Sequence, residues 1–504
     1  MDPMTFVVAA IALSIAQAPS EFAIIPEPAS IKVEKAGRLE IPANASILAP
    51  RKWQAIRDRI AAEFGANGNG PRPTFHLLER ETLKPEEYRL SINATGVEIE
   101  AKSETGAYYA LQTLLQLGSD ARSLPYLEVK DAPRFAWRGL MVDVARHFWS
   151  VEDLKKFIDV MAAYKFNRLH LHLTDDQGWR IEHPSWPKLK EVASRREETD
   201  GDRKPHSGSY SREDLREIVR HASSRHIIVV PELDLPGHAT ALIAAYPELA
   251  CFPKEDFKTA TEPGVYKEIL CPAKPKVFEI YRDLFRMVGE IFPGEAIHLG
   301  GIEVPLDRWQ ECPNCSELRI KEKLANPTAE KAWMQKRMSR LLPAGKKPMF
   351  WFEEEKSDYP NGASVATWQT GRTPTALDLA ARGGWPAVVA PAEYVNFDYP
   401  QIKDDWPKIG WMPITLLQQT YALDPGYGLS EDRQKLILGA EGTLWGEYVK
   451  DLSRAFYMTY PRGLALAEAC WSPMSVRSWD NFRRKAKLHA VVFKSKGIEI
   501  GPIP

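Results

Sequence analysis

The feature that most constrains the fold is an alternation that begins at Trp137. Eight apolar segments follow one another, and several of the stretches between them have the periodicity of amphipathic helices. The segments are Trp137–Ala145, Arg168–Asp176, His226–Pro236, Glu295–Val304, Pro348–Glu354, Ser364–Gln369, Ala387–Asp398 and Leu436–Glu447. Strands covered on both faces read as continuous apolar runs, unlike half-exposed strands. Two of the intervening helices declare their starts. Ser150 with Asp153 has the spacing of a capping box and precedes Leu154, Phe157, Ile158 and Met161 on one face; Ser211 with Asp214 repeats the signal. Eight strand–helix units over residues 132–504 predict a (β/α)8 barrel, an α/β fold.

A chain of 504 residues exceeds one small core, and the remainder lies ahead of the barrel. Residues 21–131 read as a small α/β domain. "EYRLSI" and "VEIEA" alternate apolar and polar side chains about a turn at Asn93–Gly96, and "GAYYALQTLLQLG" has helical periodicity ending on Gly118. "DAPRFAWRG" marks a boundary near Asp131. Residues 1–20 resemble a signal peptide: Phe6 to Ala16 is apolar and Ala16-Gln17-Ala18 fits a small-x-small cleavage site, although no basic residue precedes the run. A secreted or periplasmic protein is therefore expected, and no other segment has the length and apolarity of a membrane span. A net charge of -1 gives no argument for nucleic acid or an anionic membrane as partner.

Five cysteines are present. Cys312 and Cys315 form one C-x-x-C, and no second such pair exists, so spacing offers no zinc site and no metal or cofactor is expected. Cys251 and Cys271 bracket a loop and are candidates for a disulfide in an exported protein. Cys470 is expected to be a buried thiol.

In a (β/α)8 barrel the reactive groups sit at the C-terminal ends of the strands. Those ends carry Asp143, Arg146 and His147; Asp175 and Asp176; Glu232, Asp234 and His238; Glu303; Trp351; Trp368; "NFDYPQ"; and Trp445 with Glu447. Singly, each has another explanation. Arg146 suits a structural ion pair, Asp175 a helix cap, His238 a turn, and the tryptophans a core. Jointly, acids, an arginine, a histidine and indoles on one rim are the set a sugar requires. Forked hydrogen bonds bind adjacent hydroxyls, and aromatic faces cover the apolar face of a pyranose. No phosphate-binding glycine loop or H-E-x-x-H zinc motif competes.

The segments "WRGLMVDVARHFWSVEDLKKFIDVMAAYKFNRLHLHLTDDQGWRIE", "VVPELDLPGHATALIAAYPEL", "IHLGG-EV" and "LWGEYV" resemble glycoside hydrolase family 20, the β-N-acetylhexosaminidases. The resemblance spans both regions and implies the same two-domain fold. It implies release of terminal β-linked N-acetylglucosamine or N-acetylgalactosamine with retention. The sugar's own acetamide oxygen serves as nucleophile, an exception to the two-carboxylate scheme. By motif, Glu303 is then the general acid/base. Arg146, Asp398 and Glu447 hold the sugar hydroxyls, Asp175 and His238 support the acid, and Trp351, Trp368 and Trp445 wall the acetamide and ring.

Two positions depart from the family pattern. Ile302 stands where an aspartate orients the acetamide N–H, and Asn396 stands where a tyrosine donates to the acetamide carbonyl. Both changes fall on one functional group. They predict weakened hydrolysis, or a redirection of the intermediate to a sugar acceptor. The alternatives are a non-catalytic sugar-binding protein on the same fold, which retention of Glu303 disfavours, and a glycosidase for sugars without the acetamide. The latter would need a second carboxylate about 5 Å from the first.

Overall fold

The computed structural model describes residues 22–68, 74–117, 122–199, 203–353, 358–405 and 412–504. The signal-like segment 1–20 and the expected helix end at Gly118 lie outside the described residues.

The first region is one mixed sheet of six strands: β1 (Ser30–Glu40), β2 (Ile47–Leu48), β3 (Phe75–Glu79), β4 (Tyr88–Asn93), β5 (Gly96–Ala101) and β6 (Ser123–Asp131), in the order β1-β6-β4-β5-β3-β2. In β4 the alternation is literal: Tyr88, Leu90 and Ile92 are buried while Arg89 is exposed. The β4–β5 turn closes with Asn93 opposite Gly96. Gly96 has φ 148°, and a Cβ there would meet the Thr74 carbonyl oxygen at 2.5 Å, so the position requires glycine. The helix Glu104–Leu117 covers the sheet.

The junction with the barrel is a buried seam. Asp131, which ends β6, accepts hydrogen bonds from the Tyr88 hydroxyl (2.6 Å), Lys165 Nζ (3.1 Å) and Trp471 Nε1 (2.9 Å). Arg138, in the first barrel strand, reaches back to Glu86 at 2.8 Å and lies over the Trp471 ring. Charges this deeply buried persist only when paired, so the seam holds the two regions in one orientation.

The barrel closes from eight parallel strands: Trp137–Asp143, Arg168–His172, Ile228–Glu232, Ala296–His298, Lys347–Trp351, Ser364–Thr367, Ala387–Val389 and Ile437–Leu444. All seven residues of the first strand are buried. Both helix starts take the expected form. The Ser150 side chain accepts from the Asp153 N–H, and Ser211 with Asp214 completes a reciprocal capping box.

Most strands end earlier than the apolar runs suggest. Val144 and Ala145, Leu233 and Leu235, and Leu299 have left the barrel yet stay buried as rim loops, so hydrophobicity could not mark the ends. After the fourth strand, Gly300 (φ 64°) and Gly301 (φ 89°) turn the chain out of extended geometry. After the seventh, Pro391 starts a short helix, Ala392–Val395, and Asn396 rejoins the sheet by a single bridge to Thr443.

The cysteines depart from expectation. All five are buried free thiols, so Cys251 and Cys271 do not form the expected disulfide. Cys315 lies beside both, at 3.7 and 3.5 Å, and supplies with Cys312 the pairing that sequence spacing did not reveal.

Candidate active site

The sharp turn after the fourth strand sorts two adjacent side chains. The Gly301 N–H donates to Asp234 Oδ1 at 2.8 Å, and a Cβ on Gly300 would lie 1.8 Å from that oxygen. Backbone must pass there without a side chain. Ile302 then enters the hydrophobic core at 5 % exposure, whereas Glu303, itself at φ 48°, keeps a side chain 43 % exposed. A non-glycine residue in the left-handed region is strained, and such strain concentrates at functional positions. The Glu303 N–H donates to Glu353 Oε1, and Glu353 Oε2 accepts from Lys331 Nζ at 2.8 Å.

Behind Glu303 runs a continuous polar chain. His238 Nε2 stands 3.6 Å from Glu303 Oε2, and its Nδ1 lies 3.1 Å from both Asp175 and Asp176. Asp175 also contacts His172 Nε2 at 2.9 Å and Arg146 Nη2 at 2.8 Å. Arg146 donates to Asp143 (2.9 Å) and Gln177 (3.0 Å) and points Nη2 toward Glu447 at 3.8 Å. His172 leads on to Glu232 in the barrel centre, where His170, His298 and Trp351 Nε1 also converge.

The charges of this chain are mutually dependent. Burial opposes ionisation of Asp175, but Arg146 and His238 outweigh it and hold the carboxyl well below its usual range. Burial likewise opposes charge on His238, and Asp175, Asp176 and Glu303 outweigh it, raising the imidazole well above its ordinary value. Asp175 contributes stability above its unfolded pKa that is lost as pH falls through its lowered folded value. His238 contributes stability below its unfolded pKa that is lost as pH rises through its raised folded value. His238→Asn is therefore expected to cost about 3 kcal/mol at neutral pH, since it leaves buried carboxylates short of a partner. The penalty should shrink as pH rises past the raised histidine value, where the wild-type protein loses the same charge. Melting curves across pH test this, and a pH-independent penalty would mean that His238 acts by packing alone.

The opposite wall is aromatic and acidic. Trp445 lies edge-on to His172 (5.2 Å), under the Arg146 guanidinium (5.3 Å) and beside Trp351 (5.9 Å). Trp351 is fully buried and its N–H is committed to Glu232. It therefore backs the wall instead of offering the sugar-facing surface expected of it. Trp368 is half-buried just past the sixth strand, and its carbonyl accepts the Ala392 N–H at 2.9 Å, linking it to the segment that carries Asn396. Asp398 is buried; burial first, then the Glu447 carboxylate, pushes its carboxyl well up. Burial also raises Glu447, against the pull of Arg146.

Asn396 is not free to act alone. Its Oδ1 accepts the Thr443 hydroxyl at 2.7 Å, and its side chain hydrogen-bonds Tyr399, whose phenol senses Asp398, Glu303 and Glu447. Tyr399 was not singled out in the sequence. Its only signal was its place directly after Asp398 in "NFDYPQ". Glu353, which supports the Glu303 amide, was missed as well, because nothing in "FWFEEE" ranks one glutamate above its neighbours.

Comparison with known proteins gives this rim a lineage. The family model for the glycosyl hydrolase family 20 catalytic domain matches residues 135–474, and that for domain 2 of the same family matches residues 21–132. A β-hexosaminidase of Akkermansia muciniphila is 44 % identical over 426 residues, covering 82 % of this chain and 86 % of that protein. The Streptomyces plicatus N-acetyl-β-hexosaminidase in complex with Thio-NAglucal superposes with a TM-score of 0.85 at 30 % identity, covering 97 % of this chain and 98 % of that one. An aspartate-to-asparagine variant of the Streptomyces plicatus enzyme, in complex with the product GlcNAc, gives 0.84 at 29 % identity and 98 % coverage of each chain. Two family domains in the same order, across nearly the whole chain, leave one assignment: the chain belongs to glycosyl hydrolase family 20.

Proposed function

We propose that the protein is a retaining β-N-acetylhexosaminidase whose hydrolytic step is weakened by Ile302 and Asn396, so that its intermediate passes more readily to a sugar acceptor. The observation that carries this reading is the unbroken chain Glu303–His238–Asp175–Arg146–Glu447 beside a buried isoleucine. The supports of the acid are present, and at the position beside Glu303 an isoleucine stands in place of a counter-charge for the acetamide.

In this reading the sugar lies on the rim. Arg146, Asp398 and Glu447 bind its hydroxyls, and Trp445 and Trp368 flank it. The acetamide oxygen attacks the anomeric carbon as the glycosidic bond breaks, and Glu303 passes its proton to the departing oxygen. The resulting oxazolinium carries positive charge that Ile302 cannot offset. Water, or an acceptor hydroxyl, then attacks the anomeric carbon, the bond from that carbon to the acetamide oxygen breaks to restore the acetamide, and the attacking hydroxyl gives its proton to Glu303. Asn396 spends its amide on Thr443 and Tyr399, which leaves the Tyr399 phenol as the group placed to donate to the acetamide carbonyl. Glu353 has both oxygens engaged, by the Glu303 amide and Lys331, and so acts as a support and not as a second nucleophile.

The test is turnover of an aryl β-N-acetylglucosaminide with an added sugar acceptor, scored for product anomer and for acceptor incorporation. The expected result is slow, retaining turnover, with a larger transfer fraction than in the double variant Ile302→Asp with Asn396→Tyr at equal donor conversion. Equal fractions in both would make the two residues simple damage. Binding of N-acetylglucosamine without turnover would favour a sugar-binding role for the same pocket.

A further inference from the structure

We propose that Cys251, Cys271, Cys312 and Cys315 form a structural tetrathiolate zinc site that clamps the rim segment carrying Glu303. Three observations carry it, and none depends on how the sugar site is interpreted.

The first is distance. All four sulfurs lie within 4.8 Å of one another, and Cys315 Sγ is 3.7 Å from Cys251 Sγ and 3.5 Å from Cys271 Sγ. Four thiolates about 2.3 Å from one tetrahedral ion stand about 3.8 Å apart. A disulfide would require sulfurs about 2.05 Å apart. The separations match shared coordination and are too long for a bond.

The second is the backbone that presents the sulfurs. Ala250 and Leu270 pair as an isolated antiparallel bridge, and the Cys271 N–H donates to the Leu249 carbonyl at 2.9 Å, so the first two cysteines come from adjoining strand-like segments. The other two open a helix: Cys312 is its N-terminal cap, Pro313 its first residue, and Cys315 lies in its first turn of Pro313–Glu322. A helix start favours negative charge on these sulfurs. The Ala273 N–H also bonds the Cys271 sulfur. Four cysteine ligands leave no open coordination position, which marks a structural and not a catalytic ion.

The third is placement. The bridge belongs to the loop after the third barrel strand, and the helix belongs to the segment that follows Glu303. The Trp309 indole N–H donates to the Leu270 carbonyl at 3.0 Å and Arg308 pairs with Glu268, so protein contacts already run along the same line. An ion joining the four sulfurs would fix the distance between the loop of His238 and the turn of Glu303. The cysteines are thus positioning residues that act through that turn.

The test uses the purified full-length chain, prepared without chelator. Elemental analysis should find one zinc per chain, released in step with titration of the thiols by an organomercurial. Cobalt(II)-loaded protein should show the ligand-field and sulfur charge-transfer bands of a tetrahedral thiolate site. Cys470→Ser should keep the metal, and Cys312→Ser with Cys315→Ser should lose it. If that double variant folds, its kcat should fall with KM little changed. If it does not fold, the wild-type metal content and cobalt spectrum decide. Metal-free protein with disulfides among these cysteines would overturn the proposal, as would metal-free protein with four alkylatable thiols. Equal zinc in the double variant would do the same. Metal content, thiol titration and the cobalt spectrum are read without any sugar substrate, so failure here and failure of the proposed function are separable.

Discussion

Glu303→Gln is expected to lower turnover of an alkyl β-N-acetylglucosaminide by about 10²–10⁴-fold, the usual contribution of a positioned general acid. Glutamine keeps the shape of the side chain and a contact for His238, but it has no proton to give to the leaving oxygen. An alkoxide leaving group depends on that proton, whereas a nitrophenolate leaves nearly unaided. The loss should therefore be much smaller for an activated aryl substrate in the step that breaks the bond. N-acetylglucosamine should still bind, because Arg146, Asp398 and Glu447 are untouched. The contrast between the two leaving groups is the decisive readout. Equal losses would indicate distortion of the strained turn at φ 48° and not removal of an acid. Unchanged turnover on both would take Glu303 out of the mechanism.

The eight strands were legible because parallel barrel strands are covered on both faces and so read as apolar runs. Their ends were not, because the rim loops that follow are also buried. Leu233, Leu235 and Leu299 satisfy the same pattern as strand residues. The polar rim was legible for a different reason. Arg146, Asp175, His238, Glu303 and Glu447 each follow a strand closely, so strand order alone predicts that they converge. Tyr399, ten residues past its strand, left no such trace, and Glu353, two residues past its own, stood in a run of three glutamates. Tyr399 enters through a hydrogen bond to Asn396, and Glu353 through the backbone of Glu303. Trp351 shows the converse limit. As the last residue of a strand it was expected at the rim, but an inward-facing indole bonded to Glu232 sits behind the surface. The cysteine cluster was least accessible. Contacts of Cys315 with Cys251 and Cys271 join residues 64 and 44 positions apart, and only the folded loops bring them together.

The site is asymmetric in a way that bears on the role proposed for residue 302. On one side, Glu303 is backed by a chain of alternating acid and base that ends in the barrel centre. On the other, burial raises the carboxyls of Asp398 and Glu447, the first further through Glu447 and the second through Asp143 and Asp175, which suits them to hydroxyls and not to a cation. In the proposed reading, neither side offers the acetamide a committed negative charge among the described residues. On the same reading, residue 302 is the position next to the acid where a carboxylate would meet that charge.

Ile302→Asp is accordingly expected to raise hydrolysis by about ten- to a thousand-fold, the range over which one well-placed electrostatic contact alters a rate. The acetamide N–H would regain an acceptor, and the forming oxazolinium a counter-charge. The same carboxylate should act on the neighbouring acid. A like charge beside it disfavours the ionised form, so the alkaline limb of the pH–rate profile, where the acid loses its proton, should move to higher pH. The two effects have one cause and should appear together. The substitution also takes a side chain only 5 % exposed and gives it a charge, so thermal stability should fall, and a bound thiazoline analogue of the intermediate should restore more of it than in the parent. A faster enzyme with an unmoved profile would place the new carboxylate near the acetamide but away from Glu303. An unchanged rate with an unmoved profile would mean that the backbone turn at Gly300 and Gly301 aims residue 302 into the core, beyond reach of the sugar, and that Ile302 does not limit hydrolysis.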